Sequence, residues 1–325
     1  MAITHAFVSG KSDGSDATQV QPSNWNANHS IDSNGLTIPA NTGTPSVPPA
    51  DNLTVFAREI ANRAMLSQIG PSGLDTALQP MLGRNKVARY NPIGNSTTTP
   101  ILDGVSFTTY TGTATARNVA TTNALTRMKR IGIVSSGTAG SLSHTRMGSG
   151  TTGVAQFTTG DAATYALGGF FYIARFGISD AATVSGARMF VGIQSSTAAP
   201  TNVEPSTLVN CVGMAQLSTD ATQLYLVYGG SAAQTAIALG STNFPISSST
   251  PYELALFSPA SVSGTIYYQV TNLANGSTLN GTLSGGTTVV PASTTLLCPH
   301  FWRTNNGTGS AVGIDICSLY LETDQ

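Results

Sequence analysis

The chain has 325 residues, of which 40% are apolar and only 9% are charged, and its formal net charge is −1. This balance excludes the strongly basic surface of nucleic-acid-binding proteins, so we expect no nucleic-acid partner. No apolar run reaches the ~20 residues that a membrane-spanning helix requires, so we expect no membrane insertion. Small polar residues and glycine stand in place of charge, which favours short strands and turns over long helices.

Residues 1–50 are predicted to form an extended arm. Residues 13–30 show neither a helical nor a strand-like apolar period, and Trp25 is the only Trp, Tyr or Phe among them. A segment this polar does not bury enough of its own surface to fold alone. Four prolines between residues 38 and 50 exclude a helix there. We therefore expect a partner surface to order the arm, with Trp25 as the aromatic anchor.

A distinctive pattern, Asp-Gly-x-Asp-Ala-Thr-x-Val-x-Pro-Ser-x-Trp-Asn-Ala-x-His, runs from Asp13 to His29. It resembles the amino-terminal segment of many tailed-bacteriophage virion proteins, chiefly tail-fibre and other appendage proteins. The resemblance implies a location in the virion, attachment to other virion proteins through the arm, and an oligomer that is most often a homotrimer. The docking residues predicted on this basis are Pro22, Trp25, Asn26 and His29.

Residues 51–85 are predicted to form a helical neck or linker. Leu53, Phe56 and Ile60 recur at spacings of three and four, as on one face of an amphipathic helix over residues 52–69. A Gly-Pro pair follows and is a usual helix stop. The stripe either forms a three-helix neck in an oligomer or packs against the protomer's own sandwich. Leu53, Phe56 and Ile60 are therefore the candidate oligomerisation residues.

Residues 86–325 are predicted to be all-β. Six strand candidates are separated by clusters of Gly, Ser, Asn and Pro: Phe170–Phe176, Met189–Ile193, Gln223–Tyr228, Tyr252–Phe257, Thr265–Thr271 and Val312–Glu322. In the fifth of these the side chains alternate, so that Ile266 and Val270 share one face while Tyr267 and Gln269 share the other. Many short strands with turns between them indicate a β-sandwich or barrel.

Four stretches of this region, at 168–180, 187–193, 252–257 and 312–324, look like the carboxy-terminal domain of phage tail-fibre-like proteins. Their layout is similar to a concanavalin-like jelly roll, with paired sheets and a last strand that returns beside early ones. The expected fold is therefore mainly β, with an extended N-terminal arm, a short helical linker and a large C-terminal antiparallel β-sandwich.

No catalytic constellation stands out, so the chain is predicted not to be an enzyme and to need no cofactor or metal. The sequence has no Gly-x-Ser-x-Gly elbow, EF-hand loop or His-Glu-x-x-His run. Asp180 and Glu204 are the best candidates for a glycosidase acid pair, although turn capping is the favoured interpretation. The alternative to a metal-free protein is a calcium site in a sandwich loop that uses Asp180, Glu204 or Asp220.

The three cysteines, Cys211, Cys298 and Cys317, each stand in an apolar, strand-like context without metal-site spacing. They are predicted to be buried and free. The first ten residues lack a basic region followed by an apolar run. We therefore expect a protein that is assembled into virions in the reducing host cytoplasm.

A sugar-binding surface needs an exposed aromatic face flanked by amides, hydroxyls or an arginine. Trp302 and Arg303, just before an Asn-Asn-Gly run, offer such groups, and Tyr228 precedes a pair of glycines. These three residues are the candidate surface for a host glycan. Burial in the sandwich is the competing interpretation for Trp302.

The preferred function is that of a structural component of a tailed-phage virion, a fibre or appendage that is attached by its arm and takes part in host-surface recognition. Two alternatives stay open. One is a capsid-bound fibre or decoration protein without a receptor role. The other is a virion-associated carbohydrate-active enzyme.

Overall fold

The computed structural model describes residues 2–3, 12–15, 29–30, 37–41, 43–49, 52–70, 75–77, 86–97, 109–149, 152–153, 155–163, 168–260 and 262–323. By internal contacts the chain divides into two compact units, Met1–Glu59 with Ala64–Leu78, and Ile60–Arg63 with Gln79–Gln325. In the described ranges no helix has the length and apolar character needed to cross a membrane.

The amino-terminal strands are short, with two longer members. They are β1 (Ala2–Ile3), β2 (His29–Ser30), β3 (Ala40–Asn41), β4 (Thr54–Ile60), β5 (Arg63–Ile69) and β6 (Asp75–Ala77). Strands β1 and β2 pair with each other antiparallel, and the other four form a sheet in the order β3-β4-β5-β6. Strand β3 runs parallel to β4, and β6 runs antiparallel to β5.

The helix predicted over residues 52–69 is wrong, because these residues form the strands β4 and β5. Ala61 and Asn62 connect the two strands with φ values of 48° and 59°. Two successive positive φ values define the tight hairpin turn that matches strand twist, and Asn is favoured there. The spacing of three and four that suggested a helix also fits two strands broken by this turn. Asn62, a weak helix former, was the contrary signal.

The predicted oligomerisation stripe does not exist as one surface. The Leu53 side chain is 57% exposed, whereas Phe56 is buried at 6% and Ile60 is half-buried. On a strand, adjacent positions point to opposite faces, so residues spaced by three fall on different sides. Self-association itself stays a prediction.

The second unit contains the remaining strands and one turn of 3₁₀ helix at Pro205–Thr207. The strands are β7 (Lys86–Tyr90), β8 (Thr109–Thr111), β9 (Thr113–Ala116), β10 (Ile131–Val134), β11 (Leu142–Arg146), β12 (Gly148–Ser149), β13 (Thr152–Gly153), β14 (Phe170–Ile178), β15 (Arg188–Gln194), β16 (Cys211–Gln216), β17 (Tyr225–Gly229), β18 (Ile237–Ala238), β19 (Tyr252–Ser258), β20 (Thr265–Asn272), β21 (Thr278–Ser284), β22 (Cys298–Thr304) and β23 (Gly313–Thr323).

Two antiparallel sheets make the predicted β-sandwich. The eight-stranded sheet has the order β21-β20-β19-β14-β23-β10-β9, with β7 also paired to β23, and the seven-stranded sheet has the order β18-β17-β16-β15-β22-β11-β8. One core cluster joins side chains of both sheets, including Tyr172 and Leu254 from the first and Val191, Met214 and Phe301 from the second. The chain is thus mainly β, with its core between two facing sheets.

All six predicted strands of the body are confirmed, each within a few residues of its expected bounds. The alternation predicted for β20 is confirmed as well, since Ile266 and Val270 are fully buried while Tyr267 and Gln269 are half-buried. The last strand, β23, does return beside early ones, because it pairs with β7, β10 and β14. The three cysteines are buried, as the sequence predicted.

Candidate functional site

The outer face of the eight-stranded sheet carries a group of aromatic, amide and hydroxyl side chains. The inward set of β20 fills the core, so Tyr267 and Gln269 must point outward. The strand register places Phe257 of β19 beside Tyr267, with Thr282 and Asn280 of β21 opposite Tyr267 and Gln269. We call these five residues the outer platform, and one of them, Gln269, accepts a hydrogen bond at Oε1 from the Ala61 amide at 3.5 Å.

The outer platform combines a flat aromatic surface with polar edges. The rings of Phe257 and Tyr267 stack at 6.3 Å between centroids with an interplanar angle of 26°. Both residues are half-buried, whereas Asn280 and Thr282 are exposed. An aromatic face flanked by amide and hydroxyl groups is suited to a ligand with both apolar C–H faces and hydroxyl groups.

A pocket of ≈ 190 Å³ adjoins the platform. We call it the Arg63 pocket, and its lining consists of Arg63, Gly168, Gly169, Phe170, Phe171, Phe257, Ser258, Ala260, Glu322 and Thr323. Phe257 belongs to both the pocket and the platform. A ligand that covers the platform therefore has a recess into which one of its groups can enter.

A charged pair and an aromatic ring organise the Arg63 pocket. The Arg63 guanidinium donates from Nη1 to Glu322 Oε2 at 3.0 Å and from Nη2 to Glu322 Oε1 at 2.8 Å. It lies over Phe171 with its Cζ 4.6 Å from the ring centroid. The Tyr320 hydroxyl also donates to Glu322 Oε2, at 3.0 Å. Burial and then the nearby Glu322 carboxylate raise the pKa of Tyr320, so this hydroxyl keeps its proton.

The opposite end of the same outer face is closed by residues 117–130. Arg117 and Arg130 both contact the buried Asp315 carboxylate, at 3.0 and 2.8 Å. Leu125 lies on Gly177, where an added Cβ would meet the leucine side chain. Because both oxygens of the Asp315 carboxylate are paired with arginines, Asp315 is not available to a ligand at this end of the outer face.

The outer face of the seven-stranded sheet is covered by residues 195–210, which we call the cover loop. Beneath it lies a second apolar cluster that contains Trp302 and Phe190, against which Val203 and Leu208 of the loop pack. Trp302 is 0% exposed. The prediction of an exposed recognition face at Trp302 is therefore wrong, because a loop distant in sequence covers the ring.

The cover loop is fixed by a polar clamp. Arg188 Nε donates to Glu204 Oε2 at 2.8 Å, and Arg188 Nη1 donates to the Asn202 carbonyl and side-chain oxygens. The Ser218 amide and hydroxyl both donate to Glu204. Glu204 is thus a structural carboxylate that joins the loop to strand β15 and to the segment that follows strand β16.

Arg303 is withdrawn from the surface as well. Arg303 is 0% exposed, with Nη2 at 2.7 Å from Asp180 Oδ2 and at 3.0 Å from Gln216 Oε1. Burial raises the pKa of Asp180, and the neighbouring Arg303 opposes that rise. Tyr228 is half-buried and packs against the main core. The prediction of a glycan surface at Trp302 and Arg303 is therefore wrong, and the role of Tyr228 stays a prediction.

Two buried histidines lie next to each other on the seven-stranded sheet. His144 and His300 stack at 5.5 Å between ring centroids, and both are essentially unexposed. His300 Nε2 lies 2.7 Å from the Ser196 carbonyl of the cover loop, whereas neither ring nitrogen of His144 has a hydrogen-bond partner among the described residues. Burial lowers the pKa of His144 to about 2, assisted by His300 and Arg146, and lowers the pKa of His300 to about 4.

The three carboxylates considered for an acid pair or a calcium site are each engaged separately. Asp180 pairs with Arg303 and accepts from the Gly313 amide, and Glu204 belongs to the cover-loop clamp. Asp220 accepts hydrogen bonds from nearby side chains and a backbone amide, which hold its pKa well below its usual range. Within the described residues no group of three or more His, Cys, Asp or Glu side chains is arranged to hold a metal ion.

Most of the predicted virion-docking residues lie outside the described residues. This applies to Pro22, Trp25 and Asn26. His29 is described by its backbone, which pairs with Ile3 between strands β2 and β1. The docking role of all four residues stays a prediction.

A wider cleft of ≈ 600 Å³ lies between two loops at the end of the sandwich, around residues 181–185 and 308–311. Its lining consists of Ala, Thr, Ser and Val side chains. It offers neither an aromatic ring nor a charged group, so it lacks the chemistry that the outer platform and the Arg63 pocket combine.

The sequence reading missed the outer platform although its signal was present. The sequence predicts that Tyr267 and Gln269 share one face of a strand, but strand β21, which pairs with it, is not among the predicted strands. The pattern Asn280-x-Thr282 supplies the matching outward face of β21. Two neighbouring strands with aromatic and amide groups in phase were the signal that pointed to this surface.

No family model matches the sequence, and no curated protein matches it. Among solved structures, peanut lectin with a 9mer peptide is similar at 13% identity and a TM-score of 0.46, over 74% of this chain and 97% of that chain. Lectin II from Ulex europaeus is similar at 10% identity and a TM-score of 0.45, over 73% of this chain and 98% of that chain. The CBM2 module of the evolved Dit of Lactobacillus casei BL23 phage J-1 is similar at 12% identity and a TM-score of 0.39, over 73% of this chain and 97% of that chain. Values this low describe a distant likeness and assign no family.

Proposed function

We infer that the protein is a structural component of a tailed-phage virion, a fibre or appendage that is attached by its N-terminal arm and binds a host-surface glycan through its sandwich. The observation that carries the binding role is the outer platform with its adjoining Arg63 pocket. The virion role rests on the amino-terminal pattern from Asp13 to His29. The chain acts as a binding protein and not as an enzyme.

The composition of the platform supports a glycan as the ligand. Its five residues supply two aromatic rings, two amides and two hydroxyls, those of Tyr267 and Thr282, without a net charge. Sugars present hydroxyl groups to amides and apolar C–H faces to aromatic rings. The outer platform lies on strands, so its side chains are held in place before the ligand arrives, which lowers the ordering cost of binding.

Binding to surface polysaccharide tests the recognition role. The full-length protein is applied to immobilised bacterial capsular and O-antigen polysaccharides, and binding of the native chain is compared with that of Tyr267→Ala. Loss of the stacked ring should weaken binding at least about fivefold, or about 1 kcal/mol. Leu296→Ala is the matched control, because Leu296 is an exposed apolar residue away from the platform.

The test also separates the recognition role from a purely structural one. If no polysaccharide is bound, or if Tyr267→Ala and Leu296→Ala behave alike, the glycan-binding role is wrong and a decoration protein without a receptor role is favoured. Release of shortened glycan fragments by the native protein would instead favour the carbohydrate-active enzyme.

The arm is tested in the assembled phage. The full-length Trp25→Ala variant should attach to virions more than tenfold more weakly, because a buried aromatic anchor contributes ~2 kcal/mol or more to an interface. Virions purified from a complementation strain are assayed for the protein by quantitative mass spectrometry. Undiminished incorporation of the variant would contradict docking through Trp25.

Self-association completes the proposal, with three chains as the expected number. Light scattering of the full-length protein should report a trimer mass of close to three times 33.3 kDa. A monomer mass at micromolar concentration would contradict it.

A further inference from the structure

The Arg63 pocket has a balanced charge that restricts what it can hold. Arg63 and Glu322 form a two-point ion pair, and Glu322 is only 4% exposed while the Arg63 side chain is 18% exposed. The remaining lining residues are uncharged. The site therefore carries one positive and one negative group in direct contact, with no surplus charge to attract an ion.

The two hydroxyl side chains of the pocket wall, Ser258 and Thr323, already have hydrogen-bond partners. The Ser258 hydroxyl donates to the Thr265 carbonyl and accepts from the Gly160 amide. The Thr323 hydroxyl donates to the Gly169 carbonyl at 3.2 Å. A ligand in the pocket must therefore find its strongest polar partners in the ion pair, whose guanidinium has more N–H groups than the two that Glu322 accepts.

One wall of the pocket is backbone that leaves no room for side chains. Gly168 and Gly169 have φ values of +98° and +84°. A Cβ on Gly168 would lie 2.6 Å from the Thr159 carbonyl oxygen, and one on Gly169 would lie 2.8 Å from the Ser258 carbonyl oxygen. The recess is thus built into the main chain, and its ≈ 190 Å³ is smaller than the ~300–1,000 Å³ of usual small-molecule sites.

The most exposed aromatic ring of the pocket lining is Phe257. The Arg63 guanidinium lies over Phe171, which is 3% exposed, with its Cζ 4.6 Å from that ring centroid and 5.7 Å from the centroid of Phe257. Phe257 is half-buried and faces both the pocket and the outer platform. A ligand group in the pocket consequently meets one ring face on one side and paired charges on another.

We propose that the Arg63 pocket binds a single neutral hexose ring, a terminal or branch residue of the glycan that the outer platform holds. One hydroxyl of the ring accepts from Arg63 and a neighbouring hydroxyl donates to Glu322, while the apolar face of the ring lies on Phe257. A uronic acid is disfavoured, because its carboxylate competes with Glu322 for Arg63 and is repelled by Glu322. This inference rests on the proposed glycan-binding function.

The test uses methyl glycosides of glucose, galactose and mannose, with methyl glucuronoside as the charged probe, titrated into full-length protein and followed by NMR or calorimetry. At least one neutral glycoside should bind with a Kd on the order of millimolar, as expected for a ligand of this size. The glucuronoside should bind at least tenfold more weakly.

Glu322→Gln is the decisive variant, since it keeps the shape of the side chain and removes its charge. Neutral-glycoside binding should fall at least tenfold, and glucuronoside binding should rise because Arg63 is no longer neutralised. Glu253→Gln is the matched control: Glu253 also pairs with an arginine on this face, Arg175, at 2.6 Å, and lies outside the pocket lining. Phe257→Leu tests the ring face without altering charge.

Three outcomes would overturn the inference. They are glucuronoside binding as tight as that of the neutral glycosides, equal effects of Glu322→Gln and Glu253→Gln, and no neutral glycoside bound at tens of millimolar. If polysaccharide binding still depends on Tyr267, such a result defeats the pocket assignment and leaves the proposed function standing. Failure of the polysaccharide assay itself would defeat the proposed function.

Discussion

The two outer faces of the sandwich differ in how far other segments of the chain cover them. On the seven-stranded sheet, the cover loop seals an aromatic cluster around Trp302 and two histidines, and its side chains are withdrawn from water. On the eight-stranded sheet, residues 117–130 close one end, Ala61 and Arg63 contact Gln269 and Phe257 of the outer platform, and Asn280 and Thr282 of the platform stay exposed. Similar aromatic chemistry therefore contributes to stability on one face and is available for binding on the other.

The difference shows that aromatic content alone does not locate a binding surface. Trp302 looks like a recognition residue in its local sequence, and Tyr267 looks like an ordinary strand residue. What decides between them is a segment about a hundred residues before Trp302 in the chain, the cover loop. Substitutions on the sealed face should change stability first, and substitutions on the open face should change binding first.

The largest effect is expected at the centre of the sealed face. Trp302→Ala removes a fully buried ring and should lower the free energy of unfolding by about 3–5 kcal/mol, through lost transfer energy and a cavity. Urea unfolding followed by circular dichroism measures the change. Tyr267→Ala, on the open face, should cost less than about 1 kcal/mol in the same assay. If Trp302→Ala and Tyr267→Ala lower the free energy of unfolding equally, the distinction between the two outer faces is wrong.

The sequence predicted the strands well because alternation is a local property. Period two in Thr265–Thr271 follows from the strand itself, and so do the inward positions of Ile266 and Val270. The helix over 52–69 failed because apolar spacing of three and four also fits two strands joined by a turn. The cover loop was beyond prediction, since its packing on Trp302 joins segments that no local pattern connects.

The second prediction concerns pH and the sealed face. Burial holds the pKa of His144 near 2 and that of His300 near 4, below the ~6.5 of an unfolded chain. As the pH falls below 6.5, the two histidines bind protons in the unfolded state but not in the folded state, so the free energy of unfolding decreases. Between pH 7 and 5 each histidine should cost about 2 kcal/mol. Urea midpoints measured across this range provide the test.

A matched variant isolates this contribution. His144→Phe keeps a ring of similar size and removes the titrating group, so the loss of stability between pH 7 and 5 should be about halved. The pH window lies above the range in which ordinary carboxylates titrate, which keeps their contribution small. An unchanged pH slope in His144→Phe would show that the buried histidines do not set it.

The clamp of the cover loop should have an intermediate effect. Arg188→Met removes the partner of Glu204 and should cost about 1–3 kcal/mol, because a partly buried carboxylate loses charged hydrogen bonds. In a Trp25→Phe background, in which Trp302 is the only tryptophan, acrylamide should then quench the fluorescence more strongly. Arg175→Met on the open face is the control, since the Arg175 side chain is 47% exposed and should cost less than about 1 kcal/mol.

The smallest effect on stability should occur at the edge of the outer platform. Asn280 and Thr282 are exposed on the edge strand β21, and Asn280→Ala and Thr282→Ala remove no buried contact. The free energy of unfolding should stay within about 0.5 kcal/mol of the native value. Binding of polysaccharide should nevertheless weaken severalfold, because each side chain supplies hydrogen-bond groups to the ligand and each such bond contributes about 1 kcal/mol. Thr207→Ala, a substitution of an exposed polar residue in the cover loop, is the control and should leave polysaccharide binding unchanged. If the Asn280→Ala and Thr282→Ala variants bind polysaccharide as well as the native protein, the ligand binds elsewhere.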